Sequence, residues 1–196
     1  MSSVRPYGVA VRAMIALTAL LGLAYPLAVL GVGQLAFPAQ ANGSLLRDGG
    51  EVVGSSLIGQ SFADADGAPL PQWFQSRPSA AGAGYDAGSS GGSNLGPDNP
   101  TLLATIQERR AAIAAFEGVD PAAVPADALT ASGSGLDPDI SPAYALLQVR
   151  RVAAARGLDE GAVRALVEAH TEGRPLGYLG EPTVDVLELN LALARL

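Results

Sequence analysis

The stretch "SPAYALLQVRRVAAARGLDEGAVRALVEAH", residues 141–170, reads as two helices in succession. Ser141 is a good N-cap, and Pro142 suits the first helical position, where a backbone N–H has no partner anyway. The spacing predicts a helix from Pro142 to Arg156. Its inward residues would be Tyr144, Leu147, Val152 and Ala155, with Arg150, Arg151 and Arg156 left in water. Arginines late in a helix also suit its negative end, and Gly157 fits the position just past it. Asp159 can cap a second helix, Glu160 to Glu172, with Val163, Leu166, Val167 and His170 on one face and Gly173 closing it.

Upstream, "TASGSGLDPDI" (130–140) is a small-residue loop. Such a loop can cradle a phosphate, hold a metal ion, present a serine, or simply turn the chain and cap a helix. Gly133 and Gly135 permit backbone shapes closed to other residues. Earlier still, Asn99 and Pro100 repeat the cap-plus-proline start. They predict a helix from Pro100 to about Phe116, with Leu102, Leu103, Ile106, Ile113 and Phe116 as its apolar stripe and Glu108, Arg109 and Arg110 outside. Gly118 would end it. Residues 81–100 are glycine-rich and read as a long loop. Val52-Val53 and Leu57-Ile58 read as short strands, and Trp73-Phe74 as a strand or as packing against the body. Downstream, "RPLGYLGEP" (174–182) is a loop. The tail "TVDVLELNLALARL" (183–196) fits a leucine alternation or a helical stripe; its Leu and Ala content and a Thr183 cap favour helix.

Composition narrows the chemistry. The 196 residues contain no cysteine, no lysine and one histidine, His170. That excludes disulfides, cysteine nucleophiles, Schiff-base or P-loop lysines, and a cluster of histidine metal ligands. Of the twelve arginines, two precede residue 47, whereas all nineteen acids follow it. An acidic body argues against a nucleic-acid partner, because phosphate binding needs a basic face.

No residue from Ala13 to Leu46 is charged. The apolar run Ala13–Phe37 would be about 37 Å long as a helix, enough to cross a hydrocarbon core of roughly 30 Å. Pro26 would kink it. A cleavable signal peptide competes, with Arg5 and Arg12 as its basic start and Ala39-Gln40-Ala41 as a cleavage site, but its apolar region would be far shorter. The expected organisation is residues 1–12 cytoplasmic, 13–37 a retained transmembrane anchor in the plasma membrane, and 38–196 exported, since positive residues stay inside. The expected fold class is α+β: one transmembrane helix followed by a small domain with several helices and a few short strands. One span cannot form a transport pathway alone.

Several motifs invite chemistry. Gly88-Ser89-Ser90-Gly91-Gly92 matches G-x-S-x-G, but a nucleophile elbow needs a strand before the serine and a helix after it, and neither flanks it. Ser90-Gly91-Gly92-Ser93 faintly resembles a nucleotide-contacting signature whose amides could hold an anion. Asp137-Pro138-Asp139 could offer oxygens to a hard cation, although aspartate also caps and turns. His170 could act as a general base if Ser132 or Ser134 met it in space, giving a membrane-anchored exported serine hydrolase.

The blocks "VGSSLIGQSF" (53–62), "FQSRPSA" (74–80), "SGGSNLGP" (90–97), "TASGSGLDP" (130–138), "RVAAARGL" (151–158), "HTEGRPLGYLGEP" (170–182) and "VLELNLAL" (186–193) resemble the C subunit of the Kdp potassium-transporting ATPase, the KdpC family. The resemblance covers nearly the whole chain. It departs at Asp139, where histidine is commoner, and at Asp185, where asparagine is. It implies a non-catalytic accessory subunit that binds no cofactor itself, in a complex that handles ATP and potassium. The implied partners are a channel-like potassium-binding subunit, a P-type ATPase subunit, a very small helical subunit and membrane lipid. It also implies a catalytic-chaperone effect that raises the nucleotide affinity of the ATPase subunit. An exported body cannot meet cytoplasmic ATP, so assembly and stabilisation are the expected role. Ser132, Ser134, Asp137, His170, Glu172 and Arg174 are the expected partner contacts, with Ser90, Gly91, Gly92 and Ser93 as weaker anion candidates.

Overall fold

The computed structural model describes residues 5–196; residues 1–4 of the expected cytoplasmic N-terminus lie outside the described residues. The fold is α+β. The chain divides into two compact units, Met1–Leu45 and Leu46–Leu196.

The first unit is dominated by one apolar helix, Pro6–Ala36, of 31 residues, long and apolar enough to cross a membrane. It consists of α1 (Arg5–Ala19), a π-helical segment (Leu20–Ala24) and α2 (Tyr25–Ala36). The expected site of a kink is thus marked by a π segment. A proline ring clashes with the carbonyl four residues back. Just before Pro26 the bonding widens, and the Tyr25 N–H donates to Leu20 O, five residues away. The helix also begins earlier than Ala13, so Arg12 lies within it. A short α3 (Pro38–Ala41) follows.

The body opens with a hairpin, β1 (Leu45–Asp48) and β2 (Glu51–Ser55). Its two-residue turn, Gly49-Gly50, has φ of 56° and 92°, the left-handed pair such hairpins need. Leu57-Ile58 is not a strand: Ile58 makes a lone bridge to Ser55. Next come α4 (Pro100–Glu117), a two-residue strand β3 (Asp139–Ile140), α5 (Pro142–Arg156), α6 (Glu160–Ala169), a two-residue strand β4 (Val184–Asp185) and α7 (Val186–Leu193). β3 and β4 pair antiparallel, Asp139 opposite Asp185 and Ile140 opposite Val184.

The helix ends are written locally. The side chains of Asn99, Ser141 and Asp159 accept from Thr101, Tyr144 and Ala162 N–H, and Gly118 and Gly157 end α4 and α5 in the left-handed conformation. Two expectations fail here. The helix α6 stops at Ala169, three residues early, because Glu172 leaves to pair its backbone with Thr183. That same pairing draws Thr183 out of the tail helix, so Asp185 caps α7, accepting from Glu188 N–H at 2.8 Å.

The core gathers Ile140, Tyr144, Val149, Val152, Val163, Val167, Val184, Leu189 and Leu193 around Phe74. Phe74 is fully buried but belongs to no strand. Buried amide side chains replace the missing ladder. Asn190 accepts from Phe74 N–H at 2.9 Å and donates to Phe74 O at 3.0 Å. Gln148 does the same for Gln75, at 2.6 and 3.1 Å. A buried backbone group left unpaired is costly, so these two amides make the irregular segment affordable.

Arg150 is exposed as expected, but Arg151 and Arg156 differ from expectation, as does Ala155, which is exposed. Arg151 is inside: its side chain is 7% exposed and pairs at 3.0 Å with Glu117, which is 1% exposed. It also lies 4.5 Å over the Phe116 ring. Arg156 stacks 4.6 Å over Trp73 and donates to Leu193 O at 2.7 Å. Arg109 of α4 is half-buried and donates to Leu129 O. Long aliphatic stems let arginine cover apolar surface while the fork satisfies carbonyls.

Candidate functional site: two glycine-rich segments locked together

Gly135 has φ +67°, and a Cβ there would lie 2.6 Å from Gly91 O and 2.7 Å from Ala81 N. Glycine is required on both counts, and the loop uses it to press against the earlier glycine-rich segment. Ser134 O accepts from Gly91 N–H at 2.8 Å and from the Ser90 hydroxyl at 3.0 Å. Gly135 O accepts from the Ser79 hydroxyl at 2.6 Å, and Ser79 Oγ in turn accepts from Ala81 and Tyr85 N–H. Gly133 departs from expectation: its φ is not positive, and a Cβ would meet open space. Two of the sequence motifs, Ser90–Ser93 and Ser132–Asp137, thus form one surface. Ser93 is exposed at its edge.

Arg77 ties this surface down, and sequence reasoning gave it no role. Its guanidinium meets the Asp137 carboxylate at 2.6 Å and donates to Thr130 O at 3.3 Å. Its backbone O accepts from the Tyr85 hydroxyl at 2.8 Å. Burial pushes that hydroxyl up to about 12, partly offset by its hydrogen bond with Ser76. The other Asp137 oxygen accepts from Asp139 N–H. The one available signal was a lone cation before a proline in "FQSRPSA", a context unlike a solvated helix face. An open cleft of about 550 Å³ runs along this surface, lined by Leu57, Ile58, Arg77, Ser132, Ser134 and Asp137 among others. Among the described residues no three His, Asp or Glu side chains form a metal-ligand group.

The other expected contacts lie in a second group. His170 sits just past α6, with Nδ1 2.9 Å from Leu166 O. It shares a cleft of about 140 Å³ with Glu172, Asp185 and Glu188. Burial pushes the Asp185 carboxyl up to about 6; Glu188 and Asp139 repel its charge, while the Glu188 and Leu187 N–H groups favour it. Asp139 is also raised, first by burial, then by Asp137, Glu172 and Glu188. Arg174 pairs with Glu181.

The two groups do not combine into a serine–histidine site. The Ser132 and Ser134 hydroxyls lie 3.4 Å from each other, and among the described residues no hydrogen bond joins either to His170. At the glycine-rich surface the Ser90 hydroxyl and Gly91 N–H donate within the chain, so they are not turned toward an anion. The arrangement makes a shaped, internally bonded surface.

A family model described as the K+-transporting ATPase, c chain, matches residues 7–195. A Kineococcus radiotolerans protein, a potassium-transporting ATPase KdpC subunit, is 61% identical over 176 residues, covering 90% of this chain and 86% of that one. A Caulobacter vibrioides KdpC subunit is 57% identical over 178 residues, covering 90% and 86%. A Mycobacterium tuberculosis KdpC subunit is 52% identical over 189 residues, covering 95% and 96%. With the match running through the apolar helix, both glycine-rich segments and α7, the chain belongs to the KdpC family, the c chain of potassium-transporting ATPases.

Proposed function

We propose that this chain is the non-catalytic accessory subunit of an ATP-driven potassium uptake complex. Residues 1–12 stay cytoplasmic, residues 13–37 anchor it in the plasma membrane, and residues 38–196 stand on the exported side. There the body holds the channel-like potassium-binding subunit, the P-type ATPase subunit and the small helical subunit together. Family membership supports the complex, and the charge pattern around the apolar run supports the orientation. The observation that carries the assembly role is the locked surface: Ser134 O bonded to Gly91 and Ser90, and Asp137 to Arg77. Such a surface suits docking better than turnover, because it is rigid before a partner arrives. Ser132, Ser134 and Asp137 along the cleft, His170 and Glu172 in the second cleft, and Arg174, paired with Glu181, are its contacts.

An effect on nucleotide affinity would pass through the membrane helices, because an exported body and cytoplasmic ATP lie on opposite sides. Recovery of a tagged chain from membranes in mild detergent, with mass spectrometry of what accompanies it, tests the proposal. The potassium-binding and ATPase subunits are expected in the eluate, and their absence would sink the reading.

A further inference from the structure

Exposed large apolar side chains are scattered singly over the body, at Val52, Leu57, Leu103 and Leu196, for example, and single ones need no explanation. One place differs. In the loop 174–182, Leu176 is 80% exposed, Tyr178 72% and Leu179 47%, three within four residues. The loop is not loose. Its stem is closed by reciprocal backbone bonds between Glu172 and Thr183, at 2.8 and 3.1 Å. Above that, Arg174 pairs with Glu181. Gly177 and Leu179 N–H donate back to Arg174 and Pro175 O, at 2.9 and 3.1 Å. Leu176 holds φ 54°, a left-handed conformation unusual for a branched side chain. The fold therefore holds Leu176 and Tyr178 largely in solvent and Leu179 half in it, outside its own core.

Charge around the stem selects the occupant. On one side, Glu172 shares a cleft with Asp185 and Glu188. On the other, Glu181 shares one with Asp127, Asp137 and Asp139, against the single cation Arg77. Arg174 is already matched by Glu181. An acidic collar is repelled by an anionic lipid surface and by a second copy of itself. It complements a recess with an apolar floor and a basic rim.

We infer that the loop Arg174–Pro182 is a preformed plug by which the body docks into an apolar, basic-rimmed recess on an integral-membrane subunit of the complex. This rests on the functional reading above. Leu176 and Tyr178 fill the recess, and the collar of carboxylates meets its rim. A side chain placed in a desolvated pocket dominates an interface, so charging it lowers affinity about tenfold or more.

The test uses the whole complex. A photo-crosslinking benzoylphenylalanine at position 178 is expected to couple to an integral-membrane subunit; capture of lipid, of a second copy, or of nothing overturns the inference. In parallel, a Leu176→Asp, Tyr178→Asp variant is compared with wild type and with Leu103→Asp, a half-exposed apolar site on α4, after circular dichroism has confirmed folding. Partner recovery is expected to fall about tenfold for the double variant and to hold for Leu103→Asp. Equal recovery of partners by wild type and double variant overturns the plug alone. A wild type that recovers no partner overturns the functional reading and the plug together.

Discussion

Gly133 and Gly135 stand two residues apart in the same motif, yet their structural demands differ. A methyl group at Gly135 meets backbone at 2.6 Å in a left-handed conformation, whereas one at Gly133 meets open space. Gly135→Ala is expected to destabilise the chain by about 1–3 kcal/mol and Gly133→Ala by under about 0.5 kcal/mol, measured by urea denaturation in detergent. Asp139 and Asp185 are partners across β3–β4, so two carboxylates stand opposite each other. The Asp185 carboxyl, ordinarily near 3.8, is raised to about 6, so the folded state binds its proton more tightly than the unfolded chain. Its stabilising contribution is present below about pH 4 and lost as pH rises toward 6. Asp185→Asn keeps an N-cap for α7 and removes that titration. The variant is expected to be more stable than wild type at pH 7 and to show a flatter stability profile between pH 4 and 6. An unchanged profile would place the titration elsewhere.

Helices were legible wherever their signals are local. Asn99-Pro100, Ser141-Pro142 and Asp159 start helices in the structure, and Gly118 and Gly157 end them, because caps and left-handed glycines act within a few residues. What escaped the sequence was distant or short. Asn190 meets Phe74 across 116 positions, and Arg151 meets Glu117 across 34. Two-residue strands carry too little periodicity to be seen, although Gly49-Gly50 flanked by extended residues was a visible hairpin signal. In the site, both glycine-rich motifs stood out, but their bonding to each other and to Arg77 did not, because composition contains no register. The α4–α5 contact gives this scale its prediction. Burial raises the Glu117 carboxyl, and Arg151 opposes that rise. Arg151→Met leaves the carboxylate buried without its partner and is expected to cost about 3–5 kcal/mol, while adding Glu117→Leu restores much of it. Thermal denaturation of the single and double variants checks this; a double variant no better than the single would deny the pairing its role.

For the molecule as a whole, orientation decides which partners the body can reach. Alkaline phosphatase fused after Leu196 is expected to be active, as an exported C-terminus requires, and an inactive but folded fusion would reverse the orientation. The π segment Leu20–Ala24 bears on the same assembly. One extra residue in a helical turn acts as an angular offset: everything before it is rotated about 100° relative to everything after it. Two stretches of one rod therefore present their flanks on different bearings to whatever lies alongside in the bilayer. Deleting Leu21 would return the rod to a single phase while leaving more than the roughly 20 apolar residues that insertion needs. Carbonate-resistant insertion is expected to survive that deletion and partner recovery to fall. Undiminished recovery would mean that neighbouring helices read the rod's greasiness and ignore its phase.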